Sequence, residues 1–301
     1  MTVPAFPREK QPAGTPSQGG VAYPPHNEGS AISAAALLAE LQTHEIGRAL
    51  RVLEQTTSTV DAAREWLNQG APNGAVVIAQ RQTQGRGRLG RSWASPAGGL
   101  WLTVILRPHW DVGAVGLLGL ATALAAAEAV EKETGARIQL RWPNDLMLGG
   151  RKVGGVLIET ELDGRIVAAA LVSIGVNVNF ALGELPEEAR GSATTVLEAT
   201  GKLHPLPQLA TRLLETLEGG LGAVTDDPQA LETLWRARDA LRGKQVCVEV
   251  AGKMLRGRAA GVDRQGRLLL ATSLLGRTAL ATGEVTLVRE EGREGPQVRA
   301  E

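Results

Sequence analysis

The spacing of apolar positions changes several times along this chain, and each change predicts an element. Between residues 33 and 46, Leu37, Leu38, Leu41 and Ile46 recur near one helical face behind Ser33, a residue type that caps helix starts, so a helix over 33–46 is expected. "STVDAAREWLNQG" has a Ser/Thr start and Gly70 as a stop, the pattern of a short helix. Two β-rich runs follow, "GAVVIAQ" and "GGLWLTVILRP", the second closed by Pro108. Residues 114–134 are rich in Ala and Leu at helical spacing and end at Gly135. "RIQLRW" reads as a short strand, and beyond it two apolar strands flank Asp163-Gly164, a favoured hairpin turn. Residues 204–242 read as helical, with Leu206, Leu209, Leu213, Leu214 and Leu217 on or near one face. From about Gly243 the apolar runs shorten, and turns at Ala251-Gly252, Gln265-Gly266 and Gly283 separate them, which suits a small β-barrel.

These changes divide the chain into a tail over 1–29, a mixed helix-and-strand domain over 30–242, a β-domain over 243–290 and a second tail over 291–301. The first tail holds six prolines and four glycines with almost no apolar period, and disorder is expected there because so little surface is available to offset ordering. Lys+Arg and Asp+Glu both count 32, which argues against broad electrostatic binding to nucleic acid or membrane, so any anion site must be local. Cys247 is the single cysteine, which excludes an intramolecular disulfide and a Cys-based zinc site. No apolar run approaches the roughly 18 residues of a membrane span, and the N-terminus lacks the order of a signal peptide. A cytoplasmic location is the expectation.

One local charge concentration stands out. "QRQTQGRGRLGRSW", residues 80–93, carries Arg81, Arg86, Arg88 and Arg91 between glycines, with no acid in the stretch. Glycines let backbone approach a ligand closely, and guanidinium forks suit phosphate or carboxylate. Alone, the loop reads equally as a solvated basic loop. Gly85, Gly87 and Gly90 match the G-x-G-x-x-G spacing, but the intervening arginines and the lack of an acidic ribose ligand argue against a dinucleotide fold. Further on, "RWPNDLMLGGRKVGGVLIE" places Asn144 and Asp145 at the end of a strand and Lys152 at the start of the next, beside Gly154 and Gly155. Such a lysine can reach an anion in a cleft, or it can be an exposed hairpin lysine.

"GRGRLGRSW", "RWPNDL" and "KVGGVLIE", in this order, resemble the three signature segments of biotin protein ligases, the biotin–[acetyl-CoA-carboxylase] ligases. "TTSTVDAAREW" and "IGVNVN" resemble two further family segments, and the likeness spans roughly 45–290. It implies an α+β fold: a mixed-sheet catalytic domain of the class II aminoacyl-tRNA synthetase and biotin ligase type, with a small SH3-like C-terminal β-barrel. It implies that biotin and ATP, with Mg²⁺, give biotinyl-5′-AMP, and that biotin then passes to one lysine of a biotin carboxyl carrier protein. By resemblance Ser58, Thr59, Val60, Gln82, Arg86, Gly87, Arg88, Lys152 and Gly155 contact biotin. Arg86, Arg88, Arg91, Trp93, Asn144, Lys152 and Asn177 contact ATP or the adenylate. Lys152, Arg88, Asp145 and Asn144 carry the chemistry, Lys152 by electrostatic stabilisation, and Asp145 is the candidate metal contact.

The chain departs from the family pattern at three positions. Val60 follows Ser58-Thr59 where Asn is common, Leu89 stands where a basic residue is usual, and Arg141 replaces a lysine before Trp142-Pro143. Some family members carry a DNA-binding module of about 60 residues ahead of the catalytic region. Here about 45 residues precede it, so no DNA binding is expected. Relatives that join sheet edges make a homodimer an open expectation. The rivals are a lipoate–protein ligase of the same superfamily, a non-catalytic biotin or nucleotide sensor, and a nucleic-acid-binding protein that uses the arginine loop.

Overall fold

The computed structural model describes residues 31–272 and 276–287; the two expected tails and the end of the β-domain lie outside the described residues. The main sheet runs β1(Leu50–Thr56), β2(Ala75–Gln82), β3(Leu100–Leu106), β8(Ile166–Val176), β7(Arg151–Asp163), β6(Asp145–Leu148), β5(Gln139–Arg141), with β4(Trp110–Asp111) paired to β8. Only β1 and β2 are parallel, because α2(Thr59–Asn68) crosses between them; the other pairs are antiparallel.

β3 and the first five residues of β2 are apolar because both sheet faces are covered there. Side chains alternate along a strand, so Val77, Ile105, Ala169 and Leu171 meet Val60, Ala63 and Leu67 of α2 on one face. Val76, Ile78, Leu102, Val104 and Val172 pack on the other face with α3(Val115–Thr134) and α6(Leu206–Leu221). α3 ends at Gly135, whose φ of 70° is the left-handed cap the sequence suggests. Contrary to the sequence reading, Val112–Thr134 is long and apolar enough to cross a membrane by length and composition. Its alanines and leucines line the core of this fold, ten of them buried along with Thr122 and Val130.

Three expected helical features differ. α1(Ala34–Glu40) stops well before residue 46, the Ser33 side chain makes no capping bond, and Leu38 is 38% exposed while Leu37, Leu41 and Ile46 are buried. The carboxylate of Glu218 explains the early stop: it accepts the backbone N–H groups of His44, Glu45 and Ile46 at 2.7, 2.8 and 2.8 Å, bonds that a helix would have directed to its own carbonyls. The 204–242 stretch breaks after α6. Gly222–Val224 forms a 3₁₀ turn, and Asp227 caps α7(Pro228–Arg238) through a bond from Ala230 N–H. Two short helices, α4(Glu187–Arg190) and α5(Val196–Thr200), and strand β1 have no counterpart in the sequence reading.

Beyond α7, β9(Gln245–Val250), β10(Lys253–Val262), β11(Leu268–Thr272), β12(Gly276–Leu280) and β13(Glu284–Leu287) form an antiparallel sheet in the order β12-β11-β10-β9-β13, which fits the SH3-like domain of the expected α+β fold. It is seated tightly on the catalytic domain. The Trp142 indole donates to the Gly266 carbonyl at 3.0 Å, and a Cβ on Gly116 at the start of α3 would lie 2.7 Å from the Gln265 carbonyl oxygen. Only glycine permits that approach.

Candidate active site

A cavity of about 530 Å³ opens between the arginine loop, the sheet and the β12–β13 connection. Every residue named above as a contact lines it: Ser58, Thr59, Val60, Gln82, Arg86, Gly87, Arg88, Arg91, Trp93, Asn144, Asp145, Lys152, Gly155 and Asn177. At one end, Ser58 caps α2 by accepting the Val60 N–H at 3.3 Å. Val60 itself is buried in the core beneath α2, so its side chain turns away and its N–H is already used. Gln82 Oε1 accepts from Thr59 N–H at 2.7 Å and Thr59 Oγ1 at 3.1 Å, while its Nε2 donates to Ser95 Oγ at 2.7 Å. Thr103 donates to Thr59 Oγ1 at 2.9 Å and sits 2.9 Å from Ser173 Oγ. This chain of side chains fixes the Gln82 amide. The sequence reading missed Ser95, Thr103 and Ser173; the signal available was a hydroxyl inside each of two otherwise apolar strands.

The arginine loop is a small hairpin. Gly87 N–H donates to the Arg91 carbonyl at 2.7 Å and Trp93 N–H to the Gly85 carbonyl at 2.8 Å, and Leu89 forms the tip at φ 56°, 73% exposed. Its charges find acids that lie far off in sequence: Arg86 pairs with Asp61 at 2.6 Å, and Arg91 pairs with Glu284 of β13. That hydrogen bond raises the Arg91 pKa further. Arg88 is different. Among the described residues it has no carboxylate within ion-pair distance and donates to neutral oxygens: Asn144 Oδ1 at 3.4 Å, the Gly283 carbonyl at 3.5 Å and Thr282 Oγ1 at 3.3 Å. Burial lowers its pKa, opposed by the nearby Asp145.

Across the cavity, Lys152 Nζ lies 2.5 Å from Asp145 Oδ1 and 5.0 Å from the Trp93 ring centre. Asp145 Oδ2 accepts from Arg141 at 2.5 and 3.0 Å. Asp145 opens β6 after a cis Trp142–Pro143 peptide, and is not at the end of a strand as the sequence suggested. Asn144 is held by a bond from Nδ2 to the Val156 carbonyl at 2.8 Å, which turns Oδ1 toward Arg88. Trp93 packs edge-on to Trp101, and Gly175 makes room for it, since a Cβ there would lie 2.9 Å from Trp93 Nε1. Among the described residues two buried polar atoms of this wall find no partner: Trp93 Nε1, a donor, and Asn177 Oδ1, an acceptor, while Asn177 Nδ2 donates to the Thr194 carbonyl at 3.0 Å. Buried polar groups are rarely left unpaired, so a ligand with a matching acceptor and donor is implied.

The site therefore offers a half-buried guanidinium with no carboxylate partner among the described residues, a lysine beside an aromatic face, and paired hydroxyls and amides at the far end. It suits two anions brought together at one end and a neutral polar group at the other. The Biotin/lipoate A/B protein ligase family matches residues 52–179. The Biotin--[acetyl-CoA-carboxylase] ligase of Mycobacterium tuberculosis is 35% identical over 254 residues, 80% of this chain and 90% of that protein. The ligase of the same name from Paracoccus denitrificans is 32% identical over 240 residues, 78% of this chain and 98% of its own length. A solved structure of the biotin protein ligase from Aquifex aeolicus in complex with biotin and ATP superposes with a TM-score of 0.70 at 31% identity, covering 80% of this chain and 99% of that one. With likeness of this extent on both sides, the chain belongs to the Biotin/lipoate A/B protein ligase family.

Proposed function

We infer that the cavity joins biotin to the adenylate of ATP and then delivers biotin to a lysine of a biotin carboxyl carrier protein. The chain is a biotin protein ligase, with biotin and ATP as substrates. The observation that carries this reading is Arg88, a half-buried guanidinium whose hydrogen bonds among the described residues go to neutral oxygens, in the cavity that Lys152 also lines. A partly desolvated cation is favoured when a counter-charge arrives, and here the substrates bring it.

In the first step a biotin carboxylate oxygen bonds to the α-phosphorus, the bond to the bridging oxygen breaks, and pyrophosphate leaves. Lys152 and Arg88 are assigned to the charge that builds on the phosphoryl oxygens, and Asp145, fixed by Arg141, positions Lys152. In the second step the acceptor amine bonds to the acyl carbon and AMP leaves. Ser58, Thr59 and Gln82 are assigned to the ureido ring, supported by the bonds that fix the Gln82 amide, and Asn177 Oδ1 to a donor on the base. Mg²⁺ is proposed to enter as MgATP, carried on the phosphates. Asp145 is the acid nearest Lys152, both its oxygens are taken, and the described residues contain no group of three metal-ligating side chains. A homodimer that joins sheets would use β1 or β5, the ends of the main sheet.

The reading is tested by pyrophosphate release with MgATP and either biotin or lipoate. Release with biotin is expected. Release with lipoate alone would favour the other branch of the family, and release with neither would favour a sensor.

A further inference from the structure

At the α2 end of the cavity the hydrogen bonds have a direction as well as a position. The backbone N–H of Thr59 is a donor that cannot reverse, and it meets the Gln82 side chain at 2.7 Å. The atom it meets is therefore Oε1, and the Gln82 amide has one orientation. An amide oxygen only accepts, so the Thr59 hydroxyl, 3.1 Å away, gives it its single proton. Thr103, with its hydroxyl 2.9 Å from Thr59 Oγ1, then gives its own proton to Thr59. Having no second proton, Thr103 must accept across its 2.9 Å contact with Ser173 Oγ, and Ser173 is the donor there. Thr59 and Thr103 are buried, so water does not scramble this order. One backbone N–H thus sets the direction of every hydroxyl from Thr59 to Ser173, which lies opposite Thr103 on the neighbouring strand β8.

The run of hydroxyls ends at the cavity. Ser173 is only partly buried and lines it. It lies opposite Leu157 of β7, and two residues further Gly175 lies opposite Gly155. These four residues all line the cavity, and of them Ser173 alone carries a polar side chain. With its proton spent on Thr103, Ser173 presents lone pairs there. The Ser58 hydroxyl proton and the second proton of Gln82 Nε2 find no acceptor among the described residues. This end of the cavity therefore offers donors at Ser58 and Gln82 and an acceptor at Ser173.

We propose that Ser173 is a specificity-determining residue that accepts a ureido N–H of biotin, and that Thr103 is a positioning residue that keeps Ser173 an acceptor. The proposal rests on the ligase reading above. A cyclic urea has a carbonyl flanked by N–H groups, so it accepts from Ser58 and Gln82 and donates to Ser173. A lipoyl dithiolane ring has no N–H and no carbonyl, and it would leave all three groups unmatched beside a buried network. A site built to bond an N–H rejects an analogue without one, because its own polar groups are then stranded.

The test measures pyrophosphate release by the full-length chain with biotin and with its two cyclic carbamate analogues, in each of which one ring N–H is replaced by oxygen. In the wild type, kcat/KM should be about tenfold or more lower for one carbamate than for biotin. Ser173→Ala should lose about tenfold on biotin, mainly through the biotin KM, and should bring that carbamate within about threefold of biotin. An unchanged KM for MgATP reports that the rest of the site is intact. Thr103→Val keeps the shape of the side chain but leaves the Ser173 proton to turn into the cavity, so it should narrow the same ratio. A wild type that treats biotin and both carbamates alike would overturn the proposal, and so would a Ser173→Ala variant that keeps the full ratio. A Thr103→Val variant that weakens biotin without narrowing the ratio would overturn the positioning role, since lost packing alone does that. If the wild type releases no pyrophosphate with biotin, the ligase reading fails first and this proposal falls with it.

Discussion

Replacing Lys152 with methionine keeps the stem of the side chain and removes its charge. In the folded chain that charge sits 2.5 Å from Asp145 Oδ1, and the two side chains are only 28% and 12% exposed. Without it, Asp145 keeps Arg141 alone and turns a less compensated carboxylate toward two incoming anions. A unit charge about 4 Å from the phosphoryl oxygens contributes on the order of 4 kcal/mol at the effective dielectric of a partly exposed protein site. At about 1.36 kcal/mol per decade this gives roughly a thousandfold, and loss of a single preorganised donor elsewhere costs about 10²–10³. Single-turnover pyrophosphate release, at saturating biotin and MgATP, should therefore slow by about two to three decades in Lys152→Met. Lys152→Arg should recover part of the rate, because it restores charge with a different shape. Asp145→Asn in the Lys152→Met background should cost less than in wild type, since the two act as a pair. A Lys152→Met rate within a few fold of wild type would refute the electrostatic role.

Three further outcomes are expected. Arg88→Ala should release biotinyl-adenylate to solvent about tenfold faster or more in a trapping assay, because the half-buried cation assigned to hold it is gone; unchanged leakage would count against that role of Arg88. Leu89 adopts φ 56°, ψ 34°, which disfavours a leucine by about 1–2 kcal/mol, so Leu89→Asn should raise stability by a few tenths to about 1 kcal/mol in urea unfolding; a loss would show that the tip is not strained. Burial alone would raise the Glu218 pKa, but the backbone bonds from Ile46, His44 and Glu45 outweigh it and hold it low. Its stabilising share is present above the unfolded carboxylate value and is lost as pH falls through the depressed folded value, so Glu218→Gln should flatten that acid limb of stability against pH.

The sheet was legible where burial on both faces wrote apolar runs, as in β3, the start of β2 and the middle of β8, and where Asp163-Gly164 marked the β7–β8 turn. β1 escaped because it lies at the sheet edge and mixes polar and apolar positions without clean alternation. The helix expected over 33–46 failed for a reason no local pattern holds, a carboxylate more than 170 residues away that takes up three backbone donors. The site residues could be named from short motifs because each motif is one turn or strand end. Their electrostatics could not. The arginine loop contains no acid, yet Asp61 and Glu284 pair with Arg86 and Arg91, which leaves Arg88 as an arginine of the cavity without an ion pair among the described residues. Likewise Lys152 and Asp145 are seven residues apart, but only the β6–β7 pairing reveals that they touch.

The account turns on adenylate formation followed by transfer, and one measurement reaches both. The full-length chain is incubated with biotin, MgATP and a biotin carboxyl carrier domain, and the carrier is weighed by mass spectrometry. A gain of one biotinyl group, absent when ATP is omitted and absent from a carrier whose target lysine is replaced by arginine, is the predicted result. A carrier that stays unmodified with biotin, or gains a lipoyl group in preference, would contradict it.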